Sequence, residues 1–150
     1  MTKATSRPAA RSAARLAAVQ ALYQHDMEAT PQAQLLHEFH EHRLGATIED
    51  MTYRAAEQEF FDDVVMGTLA RCEEIDTLVA AHLSADWAPE RLDKPLRAIL
   101  RAGTYELLAR RDIPVGSIIN EYLDVAHAFY PKREKGFVNG LLDAVAAVVR

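Results

Sequence analysis

The sequence predicts an all-α fold of about seven helices, packed as a bundle or two. Three observations carry that prediction. Apolar residues recur at helical spacing, in Leu16, Val19, Leu22 and Tyr23 and again in Phe60, Phe61, Val64, Val65, Thr68 and Leu69. No run alternates apolar and polar residues with the period of two that marks a half-buried strand. Glycine and proline are sparse, six of each in 150 residues, and they punctuate the helical patterns.

Ser6 is placed to cap a first helix with Pro8 in its opening turn, where a missing N–H costs nothing. That helix should run to about Met27. Thr30 and Pro31 read as a second cap with proline at the first position, opening a helix to about His42. Gly45 to Thr52 is the expected irregular connection. From Tyr53 to Leu83 the apolar pattern predicts two helices, broken or bent near Glu73 and Glu74.

Ser84 to Trp87, then Pro89, Arg91 and Leu92, form a turn before Asp93, Lys94 and Pro95 open the next helix. Leu96, Ile99, Leu100, Gly103, Leu107 and Leu108 make that helix almost wholly apolar on one side, which predicts a central position. Gly103 in its interior points to close helix packing. Arg110 to Asp112 ends it, and Ile113-Pro114-Val115 starts another that reaches Phe129. Tyr130-Pro131 stops that one, since the residue before a proline is pushed out of helical conformation. The last helix carries Phe137, Val138, Leu141, Leu142, Val145 and Val148.

At 49% hydrophobic residues the chain can bury a real core, and 26% charged residues is ordinary for a soluble protein. We expect one domain over residues 1–150, with 1–7 a flexible lead. No run approaches 18 apolar residues, so no membrane span is expected, and no secretory signal is visible. The single Cys72 excludes an internal disulfide framework and fits a reducing, cytoplasmic setting. With Leu69 and Ile75 as helical neighbours and no nearby histidine, it reads as a buried structural thiol.

Charge is distributed unevenly. Residues 1–25 hold Lys3, Arg7, Arg11 and Arg15 and no acid, whereas the whole chain carries -5. The remainder therefore carries -9. Arg7, Arg11 and Arg15 are spaced i, i+4, i+8, along one slowly drifting helical face. Guanidinium groups stay charged and fork onto two phosphate oxygens, so such a stripe suits a polyanion. Composition alone slightly favours a solvated face over that reading. An acid-free, Arg- and Ala-rich start also fits an organellar transit peptide, but Val19 to Tyr23 continues as ordinary core-facing helix with no cleavage junction.

The search for catalytic chemistry is negative. His37, Glu38, His40, Glu41 and His42 crowd one helix, yet their spacing is not the zinc-protease pattern and no fourth ligand set appears elsewhere. An exposed polar face is the better reading. Glu57, Glu59, Asp62 and Asp63 are carboxylates of the kind helices ordinarily carry. No glycine-rich phosphate loop, nucleophile elbow or cysteine pair is present. We expect no enzyme activity, no metal and no cofactor.

Near the C-terminus Lys132, Arg133 and Lys135 are expected in a loop just before Gly136-Phe137-Val138-Asn139-Gly140. Basic residues beside an aromatic suit single-stranded RNA, with charge for the backbone and a ring for stacking a base. Asn139 can hydrogen-bond a base or tie down the neighbouring loop. A core role for Phe137 is the bland alternative.

Several segments resemble the NusB family of bacterial transcription antitermination factors. Ala10 to Tyr23 (ARSAARLAAVQALY) is similar to the family's N-terminal helix. Arg91-Leu92 and Arg97 to Leu107 (RAILRAGTYEL) resemble its central helix. Ile113-Pro114-Val115, Ile119-Asn120-Glu121 and Phe137 to Asp143 (FVNGLLD) match its C-terminal half in order and spacing. The likeness covers nearly the whole chain and is weakest from Thr30 to Thr52.

The resemblance implies two small helical bundles and a non-enzymatic role. It implies binding of the boxA element of ribosomal RNA leader transcripts together with NusE, a ribosomal protein, within the RNA polymerase antitermination complex that supports ribosomal RNA production. Carried over by position, the family's N-terminal arginine motif maps to Arg11 and Arg15 and its RNA-stacking aromatic to Phe137; with the residues read above, the expected RNA-binding set is Arg7, Arg11, Arg15, Lys132, Arg133, Lys135, Phe137 and Asn139. The partner-binding set is Glu90, Arg97, Arg101 and Tyr105. A homodimer is possible, since family members vary between monomer and dimer. The arginine cluster is thinned here, with Ser12 and Ala13 where further basic residues can occur.

Two alternatives remain at this point. One is a helical RNA-recognition domain of the kind fused to ribosomal RNA cytosine methyltransferases. The sequence ends at Arg150 directly after the last helix, which favours a free-standing factor. The other is a helical interaction or oligomerisation protein in which the arginines are incidental.

Overall fold

Helix starts and stops follow the prolines and the apolar spacing. The computed structural model describes residues 7–42, 51–83, 92–130 and 135–150, and the described residues form seven α-helices and no strand. These are α1 (Arg7–Glu28), α2 (Gln32–His42), α3 (Met51–Ala70), α4 (Cys72–Ala81), α5 (Lys94–Ala109), α6 (Val115–Phe129) and α7 (Lys135–Val149). The chain divides into two units, residues 1–66 and 67–150. No described helix is long and apolar enough to cross a membrane.

Prolines stand at the starts of α2, α5 and α6, as Pro8 does in the first turn of α1. The carbonyl of Pro31 accepts the amide of Leu35 at 2.9 Å, and that of Pro114 accepts Ile118 at 3.1 Å. Both prolines therefore precede the first helical residue rather than occupying it, so Thr30 lies one place too early to cap α2. Its hydroxyl instead accepts a bond from Gln24 Nε2 at 3.4 Å. In α5 Asp93 occupies the cap and Pro95 follows within the first turn, although the Asp93 side chain makes no capping bond. The α1–α2 link turns on Ala29, whose φ of 54° is left-handed, and its amide closes the helix on the carbonyl of His25 at 2.9 Å.

The first unit holds α1, α2 and α3 as far as Met66. Its core combines small residues on α1 (Ala10, Ala14, Ala18 and Ala21), joined there by Val19 and Leu22, with large ones on the other two helices (Leu35, Phe39, Phe60, Phe61, Val64 and Val65). The Phe39 and Phe61 rings stack with centroids 5.4 Å apart. His40 meets the edge of Phe61 and pairs with Asp62 at 2.6 Å, which ties α2 to α3.

In the second unit α5 is central, as its composition predicts, packing on α4, α6 and α7. A methyl on Gly103 would lie 3.1 Å from Leu142 Cδ1, so the glycine leaves α7 room to pack closely. Glu106 is fully buried and accepts a 2.5 Å bond from the Tyr122 hydroxyl. A carboxylate in that position needs such a donor.

Three expectations need correction. The break after α3 falls at Arg71, not at Glu73 and Glu74, which lie in the first turn of α4. Carboxylates are favoured there, where helix amides and the macrodipole present positive charge. Cys72 is half-buried rather than buried, with Sγ 3.8 Å from Asp76 Oδ2. Met51 and Thr52 belong to α3 rather than to the connection before it. The rest of that connection and the Ser84 to Arg91 turn lie outside the described residues.

Gly67 supplies a test of the packing. A methyl built there overlaps the ring and hydroxyl of Tyr105, which is itself buried. Alanine ordinarily improves a helix interior by up to about 1 kcal/mol over glycine, whereas overpacking costs about 1–3 kcal/mol. Gly67→Ala is therefore expected to lower the Tm by about 2–8 °C in a thermal melt. A raised Tm would mean that Tyr105 moves aside freely.

Candidate nucleic-acid interface

The basic stripe sits on a helix whose other face is alanine-rich. Ala10, Ala14, Ala17, Ala18 and Ala21 are buried, and such small side chains let neighbouring helices approach α1 closely. Arg11 and Arg15 are one turn apart, and both reach the same ring. The guanidinium carbon of Arg11 lies 5.0 Å from the Phe60 centroid and that of Arg15 lies 4.8 Å from it. Contacts of this kind contribute about 0.5–2 kcal/mol each, more when desolvated. Arg15 is only 4% exposed, whereas Arg11 is half-buried. Glu57, one turn before Phe60 on α3, is also buried.

Arg7 opens α1, and its side chain lies outside the described residues. The stripe is thus described at two of its three arginines. Arg15 is sunk beside a ring, and Arg11 is the more open of the pair.

The second basic and aromatic set lies on α7. Lys135 is the first residue of the helix, not a loop residue as expected, because the helix accommodates Gly136 within its first turn. Lys132 and Arg133 lie outside the described residues. Val138, Leu141, Leu142 and Val145 face the core, so residues at other angles must face outward. Phe137 is 39% exposed, and Lys135 and Asn139 are exposed with it. Methyl groups built on Gly136 and Gly140 would meet nothing within 4 Å. The first two turns of α7 therefore offer a cation, a half-open ring, an amide and bare backbone. Arg11, Arg15 and Phe60 belong to the first unit; Lys135, Phe137 and Asn139 belong to the second.

The residues expected to meet a protein partner are placed differently. Glu90 lies outside the described residues. Arg97 is half-buried on α5. Arg101 makes a two-pronged bond to Asp76 on α4, with both N–O distances at 2.8 Å. Tyr105 is 6% exposed and fills the space beside Gly67, so its ring belongs to the core rather than to an open surface. A helix face judged by periodicity looks alike whether a neighbouring helix or a partner covers it.

No group of three or more metal-ligating side chains is found among the described residues. His37 and Glu41 are exposed, and His40 is held by Asp62. Phe60 and Asp76 were not among the expected site residues. Each is recognised only through an arginine tens of positions away, so local spacing carries no sign of it.

Comparison with known proteins gives a consistent result. The NusB family model matches residues 12–147. A transcription antitermination protein NusB from Sphingopyxis alaskensis is 63% identical over 144 residues, covering 96% of this chain and 97% of its own. The protein of the same name from Novosphingobium aromaticivorans is 64% identical over 141 residues, covering 94% and 95%. A chain from the crystal structure of antitermination factors NusB and NusE in complex with dsRNA superposes with a TM-score of 0.78 at 26% identity. That match covers 93% of this chain and 97% of the other.

The Arg101–Asp76 pair can be tested apart from any ligand. Both side chains are largely shielded, at 18% and 33% exposure, and the geometry is bidentate. A double-mutant cycle with Arg101→Ala and Asp76→Ala in urea unfolding should return a coupling of about 1 kcal/mol. A coupling near zero would leave Arg101 energetically available to a partner.

Proposed function

The chain belongs to the NusB family of transcription antitermination factors, which are not enzymes, and on that premise we propose that it binds boxA RNA of ribosomal RNA leader transcripts together with NusE. In this reading residues 1–150 act as one RNA-binding domain made of two helical units. The resulting assembly joins RNA polymerase and keeps it transcribing ribosomal RNA. The observation that supports the reading most is the match over 93% of the chain to a structure that holds NusB with NusE and dsRNA.

The chemistry within each unit supports that reading. In the first unit Arg11 meets phosphate; in the second Lys135 meets phosphate, a base stacks on Phe137, and Asn139 supplies a donor and an acceptor for a base edge. Arg15 acts from its buried position as a fixed cation rather than as a direct contact. Glu90 and Arg97 remain the part of the partner surface we propose for NusE, while Arg101 is shared with Asp76 and Tyr105 serves the core.

The deciding experiment is titration of a labelled boxA RNA, with and without NusE, across a salt series. Binding that is sequence-selective and strengthened by NusE is expected. Absence of binding in both conditions would overturn the reading and favour a helical interaction protein.

Two variants separate the two kinds of contact. Arg11→Glu should weaken binding and reduce the slope of log K against log salt by about 0.7–1, the share of one phosphate contact. Phe137→Ala should weaken binding by about 1–3 kcal/mol while leaving that slope unchanged, because stacking releases no counterions. Equal slopes for wild type and Arg11→Glu would remove Arg11 from the interface.

A further inference from the structure

Inside a helix glycine is the least favourable residue after proline, because it gives up the most backbone freedom on folding. A glycine in such a place calls for a reason. Gly67 and Gly103 have one in the fold, since a methyl on them would press on Tyr105 and Leu142 respectively. Gly140 has none of that kind. It is the sixth residue of α7, it is exposed, and a methyl built on it would meet no described atom within 4 Å. Its backbone is ordinary α-helix, so no left-handed conformation demands glycine either.

We propose that Gly140 keeps the flank of the Phe137 ring clear for a nucleotide base, as a specificity-determining residue of the RNA site. The inference rests on the RNA-binding reading of α7.

Side chains on a helix lean toward its N-terminus and cover the turn before their own Cα. A side chain at position 140 would therefore spread over the turn that carries Phe137, three residues earlier and 39% exposed. A stacked base needs one face of that ring open across its own width. Glycine leaves the approach free. Gly136 does not share this role, because a side chain there would lean over the residues ahead of the helix.

Charge decides what suits the clearing. Lys135 opens the helix on the N-terminal side of Phe137 and attracts phosphate. Asp143 is exposed one turn beyond Gly140, and its side chain leans back toward the same clearing. A carboxylate there repels phosphate, which keeps the strand's backbone toward the Lys135 end. A base is uncharged, stacks on the ring, and can turn an amino group toward the carboxylate. The occupant is a base.

The test uses the full chain and the same labelled boxA RNA. Gly140→Ala and Gly140→Gln both introduce good helix formers, so each should raise the Tm by about 1–4 °C. Gly140→Gln should nevertheless bind RNA about tenfold more weakly, within the share of one stacked base, and Gly140→Ala should lose less. The slope of log K against log salt should not change. Gly116→Ala is the control. Gly116 is also exposed and uncrowded, and it lies near the start of α6, where Arg150 at the far end of α7 holds the carbonyl of Ile113. That variant should leave RNA binding unaltered. In a Phe137→Ala background, Gly140→Gln should cost little beyond Phe137→Ala alone, a coupling that a purely structural glycine would not produce.

Wild-type RNA affinity in the Gln variant, a lowered Tm in both variants, a changed salt slope, or losses that simply add would overturn the inference and leave the RNA reading intact. A wild-type chain that binds no RNA would overturn the RNA reading, and the inference with it.

Discussion

Enclosure of α5 is the constraint on which residues 67–150 depend. Ten of its sixteen residues are buried, including Gly103, Thr104 and Glu106. A helix covered on more than one face must be small where neighbours approach, and an ionisable side chain buried on it needs a fixed partner. Gly103 meets the first demand against Leu142, and Glu106 meets the second through Tyr122. The C-terminal end of α5 is closed from a distance. Arg150 donates to the carbonyls of Leu107 at 2.8 Å, Arg110 at 2.9 Å and Ile113 at 3.2 Å. A cation placed there satisfies orphan acceptors and opposes the negative end of the helix dipole. Arg111 returns the contact, donating to Val149 at 2.6 Å. α7 is thus tied to α5 at its far end and packed against it through Leu142. That leaves the outward side of its first turns, with Phe137, as the presented surface.

Residues 1–66 solve a different problem, that of burying a positive charge. Arg15 is nearly enclosed, and an enclosed cation is costly unless its surroundings answer it. The alanines of α1 keep that helix thin, while α3 supplies Phe60 as a receptive ring and Glu57 as a buried carboxylate on the same side. Arginine tolerates this better than lysine, because its charge is delocalised and less strongly hydrated. A basic stripe built this way is part of the fold as well as part of the proposed site.

Much of the fold was legible because helix signals are local. Pro8, Pro31, Pro95 and Pro114 mark starts within a residue or two, and the apolar pattern of α5 correctly predicts its central place. Gly103 reads as close packing, and the packing is there. What failed was of two kinds. Glu73 and Glu74 look like an interruption of an apolar pattern, yet they are the favourable first turn of a new helix. Tyr105 looks like surface available to a partner until Gly67, 38 positions earlier, is found beneath it. Of the candidate site, the arginines and Phe137 were visible as residue types in a pattern. Their surroundings were not, since Phe60 and Asp76 enter only through tertiary contact.

Charge balance bears on how an acidic chain can hold a polyanion at all. The cations of residues 1–25 are outnumbered by the -9 of the remainder. At physiological ionic strength, however, the Debye length is about 8 Å. A phosphate beside Arg11 then responds to the cations around it, and any carboxylate beyond that distance contributes little. Lower salt extends the reach of the acidic remainder to about 30 Å, so the strand attracted locally is repelled at range. Uniformly basic proteins lack this opposition and attach to nucleic acid of any sequence. In the proposed complex the acidic remainder opposes indiscriminate attachment where salt is low enough for its field to reach. A larger share of the affinity then falls to contacts that salt does not alter, and the ring of Phe137 is the described group best placed to make one.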